Sequence, residues 1–426
     1  MRNAVSIITL GCKVNQRESE ILAREFEAFG FEATDTPETA DAVIVNSCTV
    51  TQVSDQKTRQ MARRAKRQNP AALVFVIGCY PQVAADGLLR MPEVDGIVSQ
   101  ADKARTAEIV AAALREQENR GRRIFSDMPN NDADREIGKS TRTRALLKIE
   151  DGCDRNCAYC VIPLARGAVR SRPEAEILAE AESLLLEGYG EIVLTGVNLA
   201  LYGTELREPD RFYALLSRLS ALPADGEVRF RLGSLEPTVI TAEVAAAIAR
   251  LPRICPHFHL SLQSGAARTL TAMGRPYTPA DFQGILKTLR SIDPLFGVTT
   301  DVIAGFPGET EADFERSLRF VEKAEFLHTH IFPYSVRPGT RAAEMPDLVP
   351  KAVKTDRVKR MTEAAKISRE TFLKRCEGAV RRTLLFPSAN PGGAARGVTD
   401  NGIDVRVTKP AESPRRPYGS FIDFQL

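Results

Sequence analysis

The chain contains no tryptophan and only four histidines among its 426 residues. No stretch approaches the roughly 18 consecutive apolar residues of a membrane-spanning helix, so we expect no membrane association. The first residues also lack the long apolar segment of a secretory signal and run directly into a strand pattern. With eight cysteines in so long a chain, this favours a reducing, cytoplasmic location over a disulfide-stabilised secreted protein.

The chain also lacks an excess of charge of either sign, because its formal net charge is only +3. No global field therefore attracts nucleic acid, and such a partner must be argued from local patches. No Ser-His-Asp or paired-carboxylate arrangement stands out either. The length suggests about three domains.

Three cysteines stand close together in the segment DGCDRNCAYC: Cys153, Cys157 and Cys160. This loop triplet follows an apolar, strand-like run over 145–149. Three thiolates hold a metal centre from three sides and leave one coordination position open for chemistry. The spacing therefore predicts a reactive metal site.

A second set of cysteines is predicted from topology. Residues 1–115 alternate apolar runs with helix patterns, which is typical of a parallel sheet. Cys12, Cys48 and Cys79, the sheet triplet, each follow one of its strands. Because the carboxyl ends of parallel strands share one edge, we expect these thiols to converge. The predicted strands are Val5–Leu10, Ala42–Asn46, Leu73–Ile77 and Gly96–Ser99.

The metal is argued from ligand number. Structural zinc takes four protein ligands, whereas each triplet supplies three. His257 and His259 alternate along one strand and are candidates for a fourth ligand. An iron–sulfur cluster normally takes four thiolates, so a cluster held by three keeps one iron free. Three buried structural cysteines remain the alternative for the sheet triplet.

The middle of the chain predicts an α/β fold with a partial (β/α)6 barrel over 145–345. Residues 116–144 are polar and predict a linker. The six barrel strands are expected at Ala145–Ile149, Glu191–Leu194, Val228–Leu232, His257–Leu262, Val298–Ile303 and Phe326–Phe332. Polar residues follow these strands, where barrel active sites assemble. They are Thr195–Asn198, Ser234, Glu236, Ser261, Gln263, Asp301 and Gly305.

The last part of the chain predicts a basic helical connection over 346–376 and a small β-barrel over 377–426. The helix carries Val358, Met361 and Ala365 as its expected packing side. A second basic helix follows Cys48, on which Arg59, Arg63 and Lys66 share a face by helical spacing. Two such helices favour phosphate binding, with solvated charge as the alternative.

At this point the residues resemble a known family. The loop triplet, with Tyr159 before its last cysteine, resembles the cluster motif of radical S-adenosylmethionine enzymes. The segments TLGCKVNQRESE, DAVIVNSCTVT and VIGCYPQ resemble the N-terminal domain of the methylthiotransferases. GYGEIVLTGVNLALYG, HFHLSLQSG and DVIAGFPGETEADF continue the resemblance through the barrel.

The resemblance implies two [4Fe-4S] clusters and S-adenosyl-L-methionine as cofactors. The cluster at Cys153, Cys157 and Cys160 would bind this cofactor and generate a 5′-deoxyadenosyl radical. The sheet triplet would hold the auxiliary cluster and supply sulfur. The product would carry a methylthio group on carbon 2 of a modified adenine. Radical chemistry suits this reaction, because an unactivated aromatic C–H bond resists acid/base chemistry.

Within this family, GCKVNQ, CTVT and TGVNLALYG resemble the threonylcarbamoyladenosine tRNA methylthiotransferases. The alternatives are an enzyme for isopentenyladenosine in tRNA, one for a ribosomal-protein aspartate, or a non-catalytic iron–sulfur RNA-binding or redox-sensing protein. By resemblance, Tyr159, Gly196, Asn198, Ser261 and Gln263 contact the cofactor.

The resemblance also implies tRNA and an electron donor as partners of a monomeric enzyme. The C-terminal segment resembles the small RNA-binding TRAM barrel. It lacks the aromatic residues expected near Val398 and Gly402, which predicts a weaker hold on RNA. Tyr418 and Phe421 are candidates to replace them, or to belong to the core. We assign Cys255 and Cys376 no functional role.

Overall fold

The computed structural model describes residues 3–115, 142–206, 210–387, 394–408 and 418–426. The linker predicted over 116–144 lies outside these ranges except for its last three residues. Among the described residues, no helix is both long and apolar enough to cross a membrane.

The N-terminal unit is a five-stranded parallel sheet with helices on both faces. Its strands are β1 (Ala4–Thr9), β2 (Glu32–Ala33), β3 (Ala42–Ser47), β4 (Leu73–Gly78) and β5 (Gly96–Ile97), and its helices are α1 (Lys13–Ala28), α2 (Gln52–Gln68), α3 (Cys79–Leu89) and α4 (Thr106–Arg115). The strand order is β2-β1-β3-β4-β5. All four predicted strands are present, and the short edge strand β2 was not predicted.

The central unit repeats strand and helix. Its strands are β6 (Ala145–Lys148), β7 (Glu150–Asp151), β8 (Arg170–Ser171), β9 (Glu191–Thr195), β10 (Arg229–Leu232), β11 (Ser234–Leu235), β12 (His257–Leu260), β13 (Gly297–Ala304) and β14 (His328–Pro333). Its helices are α5 (Ile162–Arg166), α6 (Glu174–Leu186), α7 (Arg211–Ala221), α8 (Ala242–Ala249), α9 (Ala267–Met273), α10 (Pro279–Ile292) and α11 (Glu311–Ala324).

Two parallel sheets of order β10-β9-β6 and β11-β12-β13-β14 form the centre of this unit. Only Gly233 separates β10 from β11, so the chain passes directly from one sheet to the other. The six predicted strands are all present and parallel, which confirms the α/β class.

The two faces of these sheets differ in polarity. Ile192, Phe230 and Phe258 belong to the apolar core. Because side chains alternate along a strand, their neighbours Arg231 and His259 point to the opposite, inner face. Charged and polar groups therefore line the inside of this unit.

The C-terminal part consists of helix α12 (Lys351–Cys376) and strands β15 (Val380–Leu385), β16 (Ala395–Thr399), β17 (Asp404–Val407) and β18 (Ser420–Gln425). The strands form an antiparallel sheet of order β17-β16-β15-β18. Strand β16 was not predicted, because GAARGVT is rich in glycine and short side chains.

Helix α12 is less free to bind phosphate than its charge predicts. Arg357 is buried and its Nη1 donates to Glu309 Oε2 at 2.7 Å. Arg360 Nη1 donates to Glu311 Oε1 at 2.6 Å. The predicted packing side is therefore only partly right, since Met361 is buried but Arg357 packs inward as well.

The C-terminal sheet docks on the amino ends of β9 and β10. The Arg229 Nη2 atom donates to the Val398 carbonyl at 2.8 Å, and Arg231 Nη2 donates to the Thr399 carbonyl at 2.9 Å. Both guanidinium groups also pair with the fully buried Glu191, at 2.6 and 2.8 Å. One carboxylate thus pairs with two guanidinium groups where the two units meet, and carbonyl oxygens of the C-terminal sheet accept from the same two groups.

This docking explains the missing aromatic residues. Val398 is buried, and a side chain on Gly402 would place its Cβ 2.5 Å from the His257 ring. The ring of Tyr418 stacks on that of Tyr189 at 3.7 Å between centroids, and Phe421 lies under the Arg229 guanidinium at 5.1 Å. Tyr418 and Phe421 therefore pack within the molecule, which supports the second of the two alternatives, that they belong to the core.

The close approach at Gly402 yields a matched test. Gly402 and Gly378 both have positive φ, +92° and +79°, but an added Cβ meets a neighbour only at Gly402. We expect Gly402→Ala to reduce the free energy of unfolding by about 1–3 kcal/mol more than Gly378→Ala, because overpacking adds to the common backbone strain. Urea unfolding of the two variants measures the difference. Equal losses would show that the loop does not pack against His257.

Candidate functional site

The loop triplet lies on a backbone that several hydrogen bonds hold in place. Gly152, with φ of +77°, precedes Cys153, and a Cβ there would lie 1.9 Å from the Ala168 carbonyl oxygen. The Cys153 amide donates to the Gly167 carbonyl at 3.0 Å, and the Ala158 amide donates to the Met273 carbonyl at 2.8 Å. A glycine is therefore required immediately before the first cysteine.

The three thiols of this loop are protonated at neutral pH as long as no metal is bound. Burial raises the pKa of Cys153 to about 12 and that of Cys160 to about 11, and it also raises the pKa of Cys157. Such thiols keep their protons unless a metal replaces them. The Arg155 amide donates to Cys153 Sγ at 3.4 Å, a contact that also suits a thiolate.

The sheet triplet occupies equivalent strand ends, as predicted. Cys12 precedes α1, Cys48 follows β3, and Cys79 begins α3 after β4. The Asn15 side chain joins the first two loops, since its Nδ2 donates to the carbonyls of Leu10 at 2.9 Å and Ser47 at 2.8 Å.

The third loop is joined to the second through Ser47. Its hydroxyl donates to the Ile77 carbonyl at 2.5 Å and accepts from the Tyr80 amide at 3.1 Å. The pKa of Cys79 is raised to about 12, mainly by burial and in smaller part by the nearby Cys12 and Cys48, although Arg166 acts to lower it. The three thiols are therefore electrostatic neighbours, which agrees with the predicted convergence.

The number of ligands favours a cluster over a single structural zinc ion. Each triplet supplies three cysteines, whereas structural zinc takes four protein ligands. The suggested fourth ligands, His257 and His259, lie beside the β13 residue Thr299 instead. That zinc interpretation is therefore not supported, whereas three thiolates suit an iron–sulfur cluster that keeps one iron free.

Arg166 connects the loop triplet with the sheet triplet. It is buried at the end of α5, six residues after Cys160. Its Nε donates to Cys79 Sγ at 3.2 Å. Its Nη1 donates to Glu18 and Asp151, both at 2.9 Å, and its Nη2 donates to Asn15 Oδ1 at 2.8 Å. One guanidinium thus fixes the relative positions of the two cysteine-bearing loops.

Positive charge predominates around this contact. Burial alone raises the pKa of Glu18, but Arg166, Lys103 and Lys148 lower it to about 2. Lys148 Nζ also pairs with Asp151 at 2.9 Å. Three cations therefore surround these two carboxylates, and of these cations Arg166 also lowers the pKa of Cys79, which favours an anionic sulfur there.

Glu236 organises the opposite side of the loop triplet. Its carboxylate accepts from Arg155 Nε at 2.9 Å, Arg275 Nη1 at 2.7 Å and Asn198 Nδ2 at 2.9 Å. The Arg275 Nη2 atom also donates to the Tyr159 hydroxyl at 2.8 Å. Tyr159 and Asn198 are thereby brought into one network beside the cysteines.

Two buried polar atoms in this region have no partner within the described residues. They are Glu150 Oε2 and Asn198 Oδ1. Burial raises the pKa of Glu150 to about 8, and its Oε1 accepts from the Asn198 amide at 2.7 Å. A Cβ on Gly196 would lie 2.0 Å from Glu150 Oε1, so only glycine is tolerated there. A buried carboxyl and a buried amide oxygen without partners suit a bound cation, such as the ammonium of an amino-acid moiety, whose charge would favour the ionised form of Glu150.

Ser261 and Gln263 follow β12 and are less closely connected to this network. The Ser261 carbonyl accepts from the Tyr277 hydroxyl at 2.7 Å. The Gln263 amide donates to the Asp301 carbonyl at 2.8 Å. In the described ranges, no side-chain hydrogen bond joins either residue to Glu236, so their cofactor contacts stay a prediction.

Two of the three basic side chains that were expected to share a face of helix α2 have hydrogen-bond partners within the protein. Lys66 Nζ pairs with Asp95 at 2.7 Å, and Arg59 donates to the Tyr80 hydroxyl. Arg63 has 54% of its side chain exposed, and its Nε lies 3.8 Å from Glu93 Oε1. RNA binding by all three stays a prediction, and Arg63 is the exposed residue among them.

Sequence reasoning missed the groups that tie the site together. They are Arg166, Arg155, Arg275 and Glu150. Arg155 stands inside the cysteine motif and Arg166 shortly after it, so proximity was a signal for these two. Nothing in the local sequence marks Arg275 or Glu150, because their roles depend on contacts between distant segments.

Comparison with known proteins agrees with this geometry. Residues 4–99 match the uncharacterized protein family UPF0004, and residues 147–321 match the radical SAM superfamily. The two matches separate the cysteines as the structure does, with the sheet triplet in the first and the loop triplet in the second.

Two curated relatives span most of the chain. The threonylcarbamoyladenosine tRNA methylthiotransferase MtaB of Thermotoga maritima is 38% identical over 89% of this chain and 86% of its own length. The tRNA-2-methylthio-N(6)-dimethylallyladenosine synthase of Aquifex aeolicus is 34% identical over 90% of this chain and 88% of its own length.

A solved structure shares the fold. The radical S-adenosylmethionine methyltransferase TsrM of Kitasatospora setae has a TM-score of 0.59 and 15% sequence identity, covering 80% of this chain and 74% of its own. At this identity the likeness shows the arrangement of the chain alone.

The Arg166–Cys79 contact predicts a change in redox behaviour. With iron–sulfur clusters assembled, we expect Arg166→Met to lower the reduction potential of the cluster held by Cys79. The drop is about 60–130 mV, because a hydrogen bond to a charged group contributes about 1.5–3 kcal/mol and 59 mV corresponds to 1.4 kcal/mol for one electron. A redox titration followed by electron paramagnetic resonance measures it.

Arg170→Met is the matched control, since this cation lies four residues further along the chain and donates to the carbonyl oxygens of Arg166 at 2.8 Å and Ala168 at 3.2 Å. Arg166→Lys keeps the charge and loses the forked geometry, so an intermediate potential is expected. If the Arg166→Met potential matched that of Arg170→Met, the guanidinium would have no influence on the cluster.

Proposed function

The chain belongs to the radical S-adenosylmethionine methylthiotransferase family, and we propose that it modifies N6-threonylcarbamoyladenosine at position 37 of tRNA. The product is 2-methylthio-N6-threonylcarbamoyladenosine. The observation that carries this proposal is the pairing of two cysteine triplets on separate units, joined by the buried Arg166.

The substrate is supported by the relatives and by the sequence. Relatives named as threonylcarbamoyladenosine enzymes include proteins 38% and 37% identical to this chain. The segments GCKVNQ and TGVNLALYG favour the same group. A relative that acts on dimethylallyladenosine is 34% identical, which makes that nucleoside the second candidate. As a member of this family the chain is an enzyme, so the non-catalytic alternative is set aside.

We assign the two clusters to the two triplets. Cys153, Cys157 and Cys160 hold the cluster that binds S-adenosylmethionine, and the sheet triplet holds the auxiliary cluster. When bound, these groups supply the radical and sulfur chemistry that an unactivated aromatic C–H bond requires. The protein supplies ligands, position and exclusion of water.

The chain's own residues divide this work. Glu236 aligns Asn198 and Arg155, so the cysteine loop and the end of β9 keep a fixed separation. Glu150 and Asn198 offer free acceptor atoms to the amino-acid part of the cofactor. Arg166 holds the second set of ligands against the first, which limits the distance between the two reactive centres.

The partners follow from the reaction class. The substrate is tRNA, and reduction requires an electron donor. We further propose that the protein acts as a monomer in the cytoplasm. We also propose the division into a methylthiotransferase domain at 1–115, a linker at 116–144, a radical domain at 145–345, a connection at 346–376 and a TRAM-like segment at 377–426.

The cluster assignment predicts the iron content. After anaerobic reconstitution we expect about eight irons per chain, since each cubane holds four. Changing Cys12, Cys48 and Cys79 to Ala leaves about four, and so does changing the loop triplet. Changing the structural Cys255 and Cys376 to Ala leaves about eight. Iron and sulfide analysis measures all four proteins, and a wild type that never holds more than one cluster would contradict the assignment.

The substrate assignment predicts the modified nucleosides of cells. Deleting the gene abolishes 2-methylthio-N6-threonylcarbamoyladenosine and leaves the unmethylthiolated precursor, as measured by mass spectrometry of digested tRNA. Wild-type protein restores the product, whereas a variant with the loop triplet changed to Ala does not. Loss of the isopentenyl-type product instead would establish the second candidate. Unchanged tRNA with loss of a ribosomal-protein aspartate modification would establish the third.

A further inference from the structure

All four histidines of the chain lie together on two strands of one sheet. His257 and His259 come from β12, and His328 and His330 come from β14. Strand β13 runs between them, and its Asp301 is the register partner of His330. Since the alternating Phe258 belongs to the apolar core, the histidines of β12 face the inside of the central unit.

Three of these side chains offer ligand atoms to one point. A nitrogen of His259, a carboxylate oxygen of Asp301 and a nitrogen of His330 all lie within 4.8 Å of one another. His259 Nε2 and Asp301 Oδ2 are 3.2 Å apart. Zinc bonds to nitrogen and oxygen of about 2.0–2.2 Å place tetrahedral ligands roughly 3.3–3.5 Å apart. Small rotations of the side chains thus complete a three-ligand site.

Thr299 gives His259 the support that a metal ligand needs. Its Oγ1 lies 2.9 Å from His259 Nδ1 and 3.5 Å from His257 Nε2. A ligating histidine typically donates its other N–H to a fixed acceptor. When the threonine hydroxyl accepts from Nδ1, the Nε2 lone pair of His259 points toward the Asp301 carboxylate. Two lone pairs that face each other across 3.2 Å require a proton or a cation between them.

We propose that His259, Asp301 and His330 bind one divalent transition-metal ion, separate from both cysteine triplets. Two imidazoles and one carboxylate suit zinc and ferrous iron better than magnesium or calcium. Three protein ligands leave a position open for water or another oxygen ligand. The alternative is a hydrogen-bonded His259–Asp301 pair that binds no ion.

Neighbouring charges set the strength of binding. Lys13 acts electrostatically on both His257 and His330. Its positive charge opposes a second cation nearby. The side chains of His259 and Asp301 are 16% and 26% exposed, so an ion has a path to the site. We therefore expect reversible binding of modest affinity.

Zinc is the probe that separates this site from the clusters. The holoenzyme, with both clusters assembled and freed of loose metal, is dialysed to equilibrium against an excess of zinc sulfate, and the zinc held above the concentration in the dialysate is measured. We expect about one zinc per chain by elemental analysis. X-ray absorption at the zinc edge then shows nitrogen and oxygen neighbours at about 2.0–2.1 Å and no sulfur.

Variants assign the ligands. His330→Ala and Asp301→Asn reduce zinc affinity at least tenfold while iron content is unchanged. His328→Ala is the matched control, because it lies on the same strand and face but outside the three-ligand group, and it retains zinc. His330 is exposed, so its variant folds even if the more buried Asp301→Asn does not.

Several outcomes overturn the proposal. Holoenzyme that binds no zinc leaves only the hydrogen-bonded pair. Sulfur neighbours in the absorption spectrum show that zinc has replaced cluster iron. Equal retention in His330→Ala and the wild type, or equal loss in His328→Ala and His330→Ala, shows that the ligands are not the ones assigned. None of these results depends on methylthiotransferase activity.

Discussion

One buried guanidinium determines how the two halves of the site meet. Arg166 is fully enclosed and contacts a thiol, an amide oxygen and two carboxylates from two units. A buried charge is tolerated only when every partner is in place. If the N-terminal unit moved relative to the cysteine loop, Arg166 would lose its partners Cys79, Glu18 and Asn15. A buried charge without its partners raises the free energy of the fold by several kcal/mol. The spacing between the two thiol sets is fixed by this requirement.

The sheet triplet follows from a property of parallel sheets, because strands that end in tight turns deliver the next side chains to the shared carboxyl edge. The loop triplet instead follows the short strand β7, which pairs antiparallel with β8. Both sets use glycine in the turn, since Gly11, Gly78 and Gly152 have positive φ and precede Cys12, Cys79 and Cys153 without a steric penalty.

The sequence predicted what depends on local pattern and missed what depends on docking. The strand ends bearing Cys12, Cys48 and Cys79 were found from periodicity alone. The pairing of Lys66 with Asp95 was not predicted, because Lys66 lies on α2 and Asp95 lies directly before β5. The same holds for Arg357, whose position suggested a solvent-facing charge and whose carboxylate partner comes from the segment before α11. A sequence shows which residues are charged, but it does not show which residues of opposite charge pair with them in the fold.

The C-terminal sheet has a second consequence for how the enzyme is studied. It covers Glu191, Arg229 and Arg231 at the amino ends of the strands, far along the strands from the cysteine loop. Removing residues 377–426 would expose these three charged side chains to water and uncover the amino ends of β9 and β10. A truncated enzyme that loses activity would then report a disturbed catalytic scaffold, so only point changes on the outer surface of this sheet can measure its grip on RNA.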